Sequence, residues 1–260
     1  MSAYDQICLA RDKDRPTAAA FIDAVFDGFF ELHGDRLYGD DPAIIGGLAR
    51  LSGRPVTVIA TEKGVGTKEK IARNFGSANP EGYRKALRLM KQAEKFHRPV
   101  ICLIDTAGAY CGVGAEERGQ GSAIAANIME MSALRTPVIS LFIGEGGSGG
   151  ALALAVADRI WLLQNAVYSV ISPEGAASII WKDASLVREA AEALGLVSAD
   201  LFRLGAADRV FAEPSPGQSF APLYQELRRA LSEEMDRLTG LPVDALLQER
   251  YEKFRKFGRM

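Results

Sequence analysis

The stretch Pro137-Val138-Ile139-Ser140-Leu141-Phe142-Ile143-Gly144-Glu145-Gly146-Gly147-Ser148-Gly149-Gly150 decides how this chain folds. Its first half is a continuous apolar run of strand length, the pattern of a strand covered on both faces. Its second half carries five glycines in seven residues and reads as a loop, with a helix of small residues expected over Ala151–Ala157. The same order of features occurs about 38 residues earlier. There Pro99-Val100-Ile101-Cys102-Leu103-Ile104 leads into a glycine-rich loop and a helix expected from about Glu117 to Leu134. A third apolar run, Arg159–Leu163, follows the second unit. Buried strands alternating with helices specify an α/β fold with a parallel sheet.

On the N-terminal side, Ile44–Leu51 and Val56–Ala60, separated by Ser52-Gly53-Arg54-Pro55, read as a β-hairpin. Thr17 is placed to cap a helix over about 17–33, with Phe21, Val25, Phe29 and Leu32 on one stripe. Asn79-Pro80-Glu81-Gly82 starts another helix, with proline at its first position and an acid in its first turn. Ser172-Pro173-Glu174-Gly175 repeats that device. Charged helices are expected over about 185–204 and 220–240. The basic, aromatic tail Glu249–Arg259 reads as a solvated helix face, with contact to a partner as the alternative. No low-complexity linker divides the chain, so the reading is one domain over 1–260 with C-terminal helices over about 220–260.

Composition narrows the function. Lys and Arg number 31 against 33 Asp and Glu, a net charge of −2 without the basic stripe that a nucleic-acid groove requires. Cys8, Cys102 and Cys111 form no CxxC pair, which argues against a structural zinc site or a disulfide framework. The N-terminus lacks a signal-peptide pattern and no apolar run reaches about 18 residues. These features point to a reduced, cytoplasmic, soluble protein.

Three chemistries could use Gly144–Gly150. Gly144, Gly146 and Gly149 fit GxGxxG, but a dinucleotide site expects an acid about 20 residues on, where the chain reads Gln164-Asn165-Ala166-Val167. Gly146–Gly150 also fits the GxSxG of serine hydrolases. The triad histidine should then follow Ser148, and both histidines, His33 and His97, precede it. A serine–lysine variant would use Lys182. The third chemistry is an oxyanion hole, because amides at the start of a helix are unpaired and sit at the positive end of its dipole. Glycines there clear side chains from the path of a substrate oxygen. Tight strand–helix packing would also explain some of the glycines.

Several motifs are similar to the α subunit of bacterial acetyl-CoA carboxylase carboxyltransferases. They are Ala72–Gly76, Pro80–Met90, Gly114–Gln120, Gly144–Gly150 and Tyr168–Gly175, in that order. The resemblance runs from about Pro16 to the C-terminus. It implies a crotonase-like (ClpP/crotonase) spiral of repeated ββα units with flanking terminal helices. It further implies transfer of a carboxyl group from carboxybiotin, carried on a separate biotin carboxyl carrier protein, to the CoA thioester acetyl-CoA. The product, malonyl-CoA, feeds fatty acid synthesis. The implied partners are a zinc-bearing β subunit in an α2β2 heterotetramer and an ATP-dependent biotin carboxylase, with no metal in this chain.

By that resemblance Gly149 and Gly150 hold the biotin ureido oxygen with backbone amides, and Gly146, Gly147, Gly108 and Ala109 line the substrate. Charge developing on the ureido group would be met by those donors, and the resulting anion would take the methyl proton, so no protein base is needed. The β subunit would supply the matching hole for the thioester enolate, leaving this chain inactive alone. Two departures stand out. The family pattern Asp-Thr-Pro-Gly-Ala-Tyr-Pro-Gly becomes Asp105-Thr106-Ala107-Gly108-Ala109-Tyr110-Cys111-Gly112, which is expected to loosen that loop. An N-terminal helical segment found in many members is expected to be missing. Competing readings are a carboxyltransferase for another acyl-CoA, a malonyl decarboxylase component, a non-catalytic scaffold and, last, a serine hydrolase. Lys63 and Lys68–Lys70 read as a solvated loop or as contacts to CoA phosphates, and Glu116-Glu117-Arg118 as site lining or a solvated ion pair.

Overall fold

A computed structural model describes residues 1–258. The chain begins with helices α1 (Ala3–Ala10) and α2 (Ala18–Val25), then strands β1 (Asp27–Glu31), β2 (Ile44–Leu51) and β3 (Arg54–Thr61). Helix α3 (Gly66–Ala72) and a 3₁₀ turn (Asn74–Gly76) lead to α4 (Pro80–Lys95) and β4 (Val100–Thr106). Next come α5 (Val113–Glu117), α6 (Gln120–Ser132), β5 (Val138–Gly147), α7 (Ser148–Leu152), β6 (Arg159–Leu163) and β7 (Val167–Ser169). The C-terminal part holds α8 (Pro173–Ala176), a π turn (Ala177–Trp181), α9 (Val187–Leu194), α10 (Ser198–Arg203), β8 (Arg209–Phe211), α11 (Ala221–Thr239) and α12 (Val243–Arg255).

Seven strands lie in the order β1-β2-β3-β4-β5-β6-β8, and β7 adds to the far end of β5. The β2–β3 hairpin is antiparallel, with Leu51 opposite Arg54, and β1 pairs antiparallel to β2. From β3 onward every ladder is parallel, as the uninterrupted apolar runs require. All seven residues of β4 and the first seven of β5 are buried. Strand β5 pairs with β6 through Ile139–Phe142 and with β7 through Glu145–Gly147, so it serves two successive turns of the spiral. Among the described residues no helix is long and apolar enough to cross a membrane.

Several boundaries differ from the sequence reading. The helix expected over 17–33 stops at Val25, and the chain enters β1. Gly28 takes φ 61°, and a register shift between Asp27 and Phe30 marks a bulge. Backbone pairing with β2 overrides the helical stripe, and Gly47 admits it, since a Cβ there would lie 2.1 Å from the Phe30 carbonyl oxygen. Thr17 makes no side-chain cap; the Ala19 amide instead donates to buried Glu62 at 2.6 Å. The helix expected over 117–134 is α6, which starts three residues later, at Gln120 after left-handed Gly119 (φ 82°), with a short extra helix α5 before it. The helix expected over 185–204 is divided in two, with Gly195 left-handed at φ 59°. Helix α7 ends at Leu152, short of the expected Ala157. The expectation of helix to residue 260 holds to Arg255 in α12, and residues 259 and 260 lie outside the described range.

Candidate active site

The carboxyl ends of β4 and β5 bring the two glycine-rich segments together. In open parallel sheets this is where ligands bind. Gly144–Gly147 is not a loop: pairing with β7 carries β5 through Gly147, and α7 starts at Ser148. The strand passes straight into the helix at Ser148, α7's first residue, which is exposed and held at φ 50°, where a side chain is uncommon and mildly strained.

The two segments meet backbone to backbone. A Cβ on Gly147 would lie 2.0 Å from the Ala107 carbonyl oxygen and 2.9 Å from the Gly108 amide nitrogen. One on Gly150 would lie 2.4 Å from the Ala109 amide nitrogen and 2.8 Å from the Tyr83 hydroxyl. Glycine is therefore required at 147 and 150 by close approach. At Gly149 the same atom would meet only the Ile124 side chain, at 3.5 Å, an ordinary contact, so close approach does not require glycine there. A Cβ on Gly146 would lie 2.3 Å from the Phe142 ring, on the protein side. Gly108 has φ 147°, accessible only to glycine, and is locked by Thr106, whose Oγ1 donates to the Gly108 carbonyl at 2.9 Å and accepts its amide at 3.1 Å. Gly108, Ala109, Gly147 and Gly149 are half-buried and reachable from solvent; Gly146 and Gly150 are buried.

A charged cluster stands at the same strand ends. Lys63 bridges Asp105 at 2.6 Å and Glu145 at 3.1 Å, and Glu145 also accepts from Arg11 at 2.7 Å. Asp105 Oδ1 accepts the Glu145 amide at 2.9 Å, and Gly144 leaves room for this carboxylate. Burial disfavours charge on Glu145, but Lys63 and Arg11 outweigh it and hold its carboxyl below the usual range. Burial likewise works against the Lys63 ammonium, and Asp105 with Glu145 overcome it, raising its pKa. Lys63 is thus half-buried and held by two carboxylates at the strand ends, rather than in a solvated loop. Arg15 Nε donates to the Ile143 carbonyl at 2.6 Å while its other nitrogens grip Glu213. A cavity of about 360 Å³ lies on this charged side, lined by residues 10–17 with Lys63, Lys70 and Asp105, and touches none of Gly144–Gly150. The recess beside Gly146 and Gly147 is about 30 Å³.

The structure brings Gly108, Ala109, Gly147, Gly149 and Gly150 to one seam and leaves Gly146 behind it. Ser148 Oγ makes no hydrogen bond to a histidine or lysine among the described residues, so no hydrolase dyad is assembled. Arg118 is fixed by Glu81 at 2.9 Å and covers the Tyr38 ring, whereas Glu116 and Glu117 are exposed. Sequence reading missed Arg11, Arg15, Thr106 and Gln120. The last lay within a quoted motif, but nothing in the sequence shows which backbone its amide meets. The loop expected to loosen without its two prolines is tied by Thr106 and by the Tyr110 amide, which donates to the Ala78 carbonyl at 3.0 Å.

A spiral with glycine-lined strand ends defines the crotonase-like carboxyltransferase class. The fold superposes on transcarboxylase 12S with a TM-score of 0.70 at 20% identity, over 86% of this chain and 44% of that one. This chain therefore spans less than half of that polypeptide. It also matches a chain of a Pseudomonas malonate decarboxylase hetero-tetramer in complex with coenzyme A, with a TM-score of 0.66 at 21% identity, over 82% of this chain and 86% of that one. Residues 1–258 match the family described as acetyl co-enzyme A carboxylase carboxyltransferase-like. The acetyl-coenzyme A carboxylase carboxyl transferase subunit alpha of Ruminiclostridium cellulolyticum is 57% identical over 258 residues, 99% of this chain and 98% of that protein. The chain belongs to the acetyl-CoA carboxylase carboxyltransferase family, as an α-subunit member. The match begins at residue 1, so the resemblance extends over α1, which the sequence reading had left outside it.

Proposed function

We propose that this chain, with a β subunit, transfers a carboxyl group from carboxybiotin to acetyl-CoA and so makes malonyl-CoA for fatty acid synthesis in the cytoplasm. The observation that carries the reading is the bare seam, where Gly147 and Gly150 pack on Ala107–Ala109 with no side chain between them. The amides of Gly149 and Gly150 lie in the first turn of α7, where no intrahelical acceptor exists for them. They are the donors for the biotin ureido oxygen, and Gly108, Ala109, Gly146 and Gly147 form the wall beside it.

Carboxybiotin, delivered on a separate carrier protein charged by biotin carboxylase, supplies the carboxyl group and the base for the acetyl methyl. The chain's part is to hold the ureido oxygen through preorganised amides, which cost no reorganisation as charge develops. Exposed apolar side chains flank the seam on both sides. Val113 follows the 106–112 segment, and Val170, Ile179 and Ile180 follow β7; each is more than 60% exposed. This rim fits docking of the β subunit, in an α2β2 assembly. The malonate decarboxylase whose chain shares this fold is itself a hetero-tetramer, which is in line with such an assembly.

Carboxyl transfer from malonyl-CoA to free biotin, measured with each subunit alone and mixed, tests the proposal. Activity is expected only in the mixture, and it should vanish in a Gly150→Pro variant that still assembles, because proline removes the amide donor. A stable complex without transfer would point to another acyl-CoA or to a scaffold. Transfer by this chain alone would sink the divided site.

A further inference from the structure

The geometry points to Gln120 as a positioning residue for the carboxyl-transfer site, an inference that rests on the function proposed above. Gln120 opens α6 and is 3% exposed. Its Nε2 donates to two backbone carbonyls at once, that of Ala78 at 2.8 Å and that of Tyr110 at 2.7 Å. The Tyr110 amide donates to the same Ala78 oxygen at 3.0 Å, closing a three-way tie. Both amide protons of Gln120 are spent on carbonyls, so the amide cannot be turned over without facing two oxygens with a third. The tie holds the loop one residue after Ala109; Thr106 holds it just before Ala107. Between those fixed points lies the backbone that Gly147 and Gly150 touch.

Packing alone does not account for glutamine here. Its Oε1 is buried and unpartnered, a desolvation cost that methionine, of similar length, would not carry. The Tyr83 hydroxyl, beside Gly150, is also buried without a partner. A glycine wall has no side chain of its own to adjust, so its position is set by whatever grips its ends. Gln120 grips one end from a helix, the more rigid kind of support.

The test uses the assembled α–β complex and the transfer of carboxyl from malonyl-CoA to free biotin. In Gln120→Met, kcat is expected to fall about 10- to 100-fold, as for a misplacement near 1 Å. The KM for malonyl-CoA should stay within about twofold, because that substrate's binding is not routed through the loop. Hydrogen exchange at the Tyr110 amide should quicken while the thermal midpoint of the complex changes little, since the orphan Oε1 leaves with the tie. Gln120→Glu, which sets an acceptor against two carbonyls, should be worse than Gln120→Met. Wild-type kinetics in both variants, or faster Tyr110 exchange with transfer unaltered, would overturn the inference alone. A fall in kcat that tracks a lowered thermal midpoint and a raised malonyl-CoA KM would reduce Gln120 to a structural role. No transfer by the wild-type complex would remove the proposed function and this inference together.

Discussion

Strand β5 begins at Val138 and ends at Gly147, and the chain treats its two ends in opposite ways. At the start, the Val138 amide donates to Asp158, whose carboxylate also receives Arg250 in a two-pronged pair at 2.8 Å and 2.8 Å. Arg250 is 1% exposed and spends its remaining donors on the carbonyls of Met131, Leu134 and Thr136. Every polar group there is matched, and α12 is sewn to the sheet. At the other end side chains are stripped away, Ser148 is held at positive φ, and Tyr83 and Gln120 keep buried atoms without partners. Order is placed at the amino end of the strand and unspent hydrogen-bonding capacity at its carboxyl end. The same strand is anchor and tool.

The contrast predicts where damage shows. Arg250→Met should cost about 3–5 kcal/mol in urea unfolding, because it leaves Asp158 buried without its cation. A loss below about 1 kcal/mol would mean that the closed end is no anchor. At the open end, Gly150→Ala should lower kcat of the complex about 100-fold by pushing Ala109 away, whereas Gly149→Ala, which keeps the amide and whose methyl would meet only Ile124 at ordinary contact distance, should lose far less. Equal kcat losses in the two alanine variants would break the argument from close approach.

A smaller effect should come from Glu145→Gln, which removes a counterion from Lys63 and Arg11 and should cost about 1–3 kcal/mol at neutral pH. The folded-state pKa of Glu145 lies below its unfolded value of 4.5, so its contribution is full above that pH and fades as pH falls through the folded value. Thermal unfolding of wild type and variant should therefore converge in acid. A stability gap that stays constant down to about pH 3 would show that the ion pairs do not supply it.

The parallel sheet was legible because β4, β5 and β6 are apolar on both faces, a pattern that helices of this length seldom show. The helix starts at Pro80 and Pro173 were legible for a local reason, proline in the first turn, although of the residues before them only Ser172 caps with its side chain and Asn79 does not. The run from Phe26 to Leu32 misled because its stripe suits a helix, while β2 offers an edge that no local pattern announces. Gly144–Gly147 misled in the opposite sense. Five glycines suggest a loop, but three residues of β7, more than twenty positions away, make part of the segment a strand. The glycines of the candidate site were visible; their supports, Arg11, Thr106 and Gln120, were not, because each acts by reaching backbone or charge distant in sequence.

A wall made of main chain has a consequence for how it can change. Substitution at Gly147 or Gly150 can add atoms but cannot take an amide away, short of proline. Mutation can therefore obstruct this surface but not retune it by swapping functional groups. A small molecule that gripped only these amides would leave selection few escapes, since a change bulky enough to evict the inhibitor would also narrow the passage for the natural ligand.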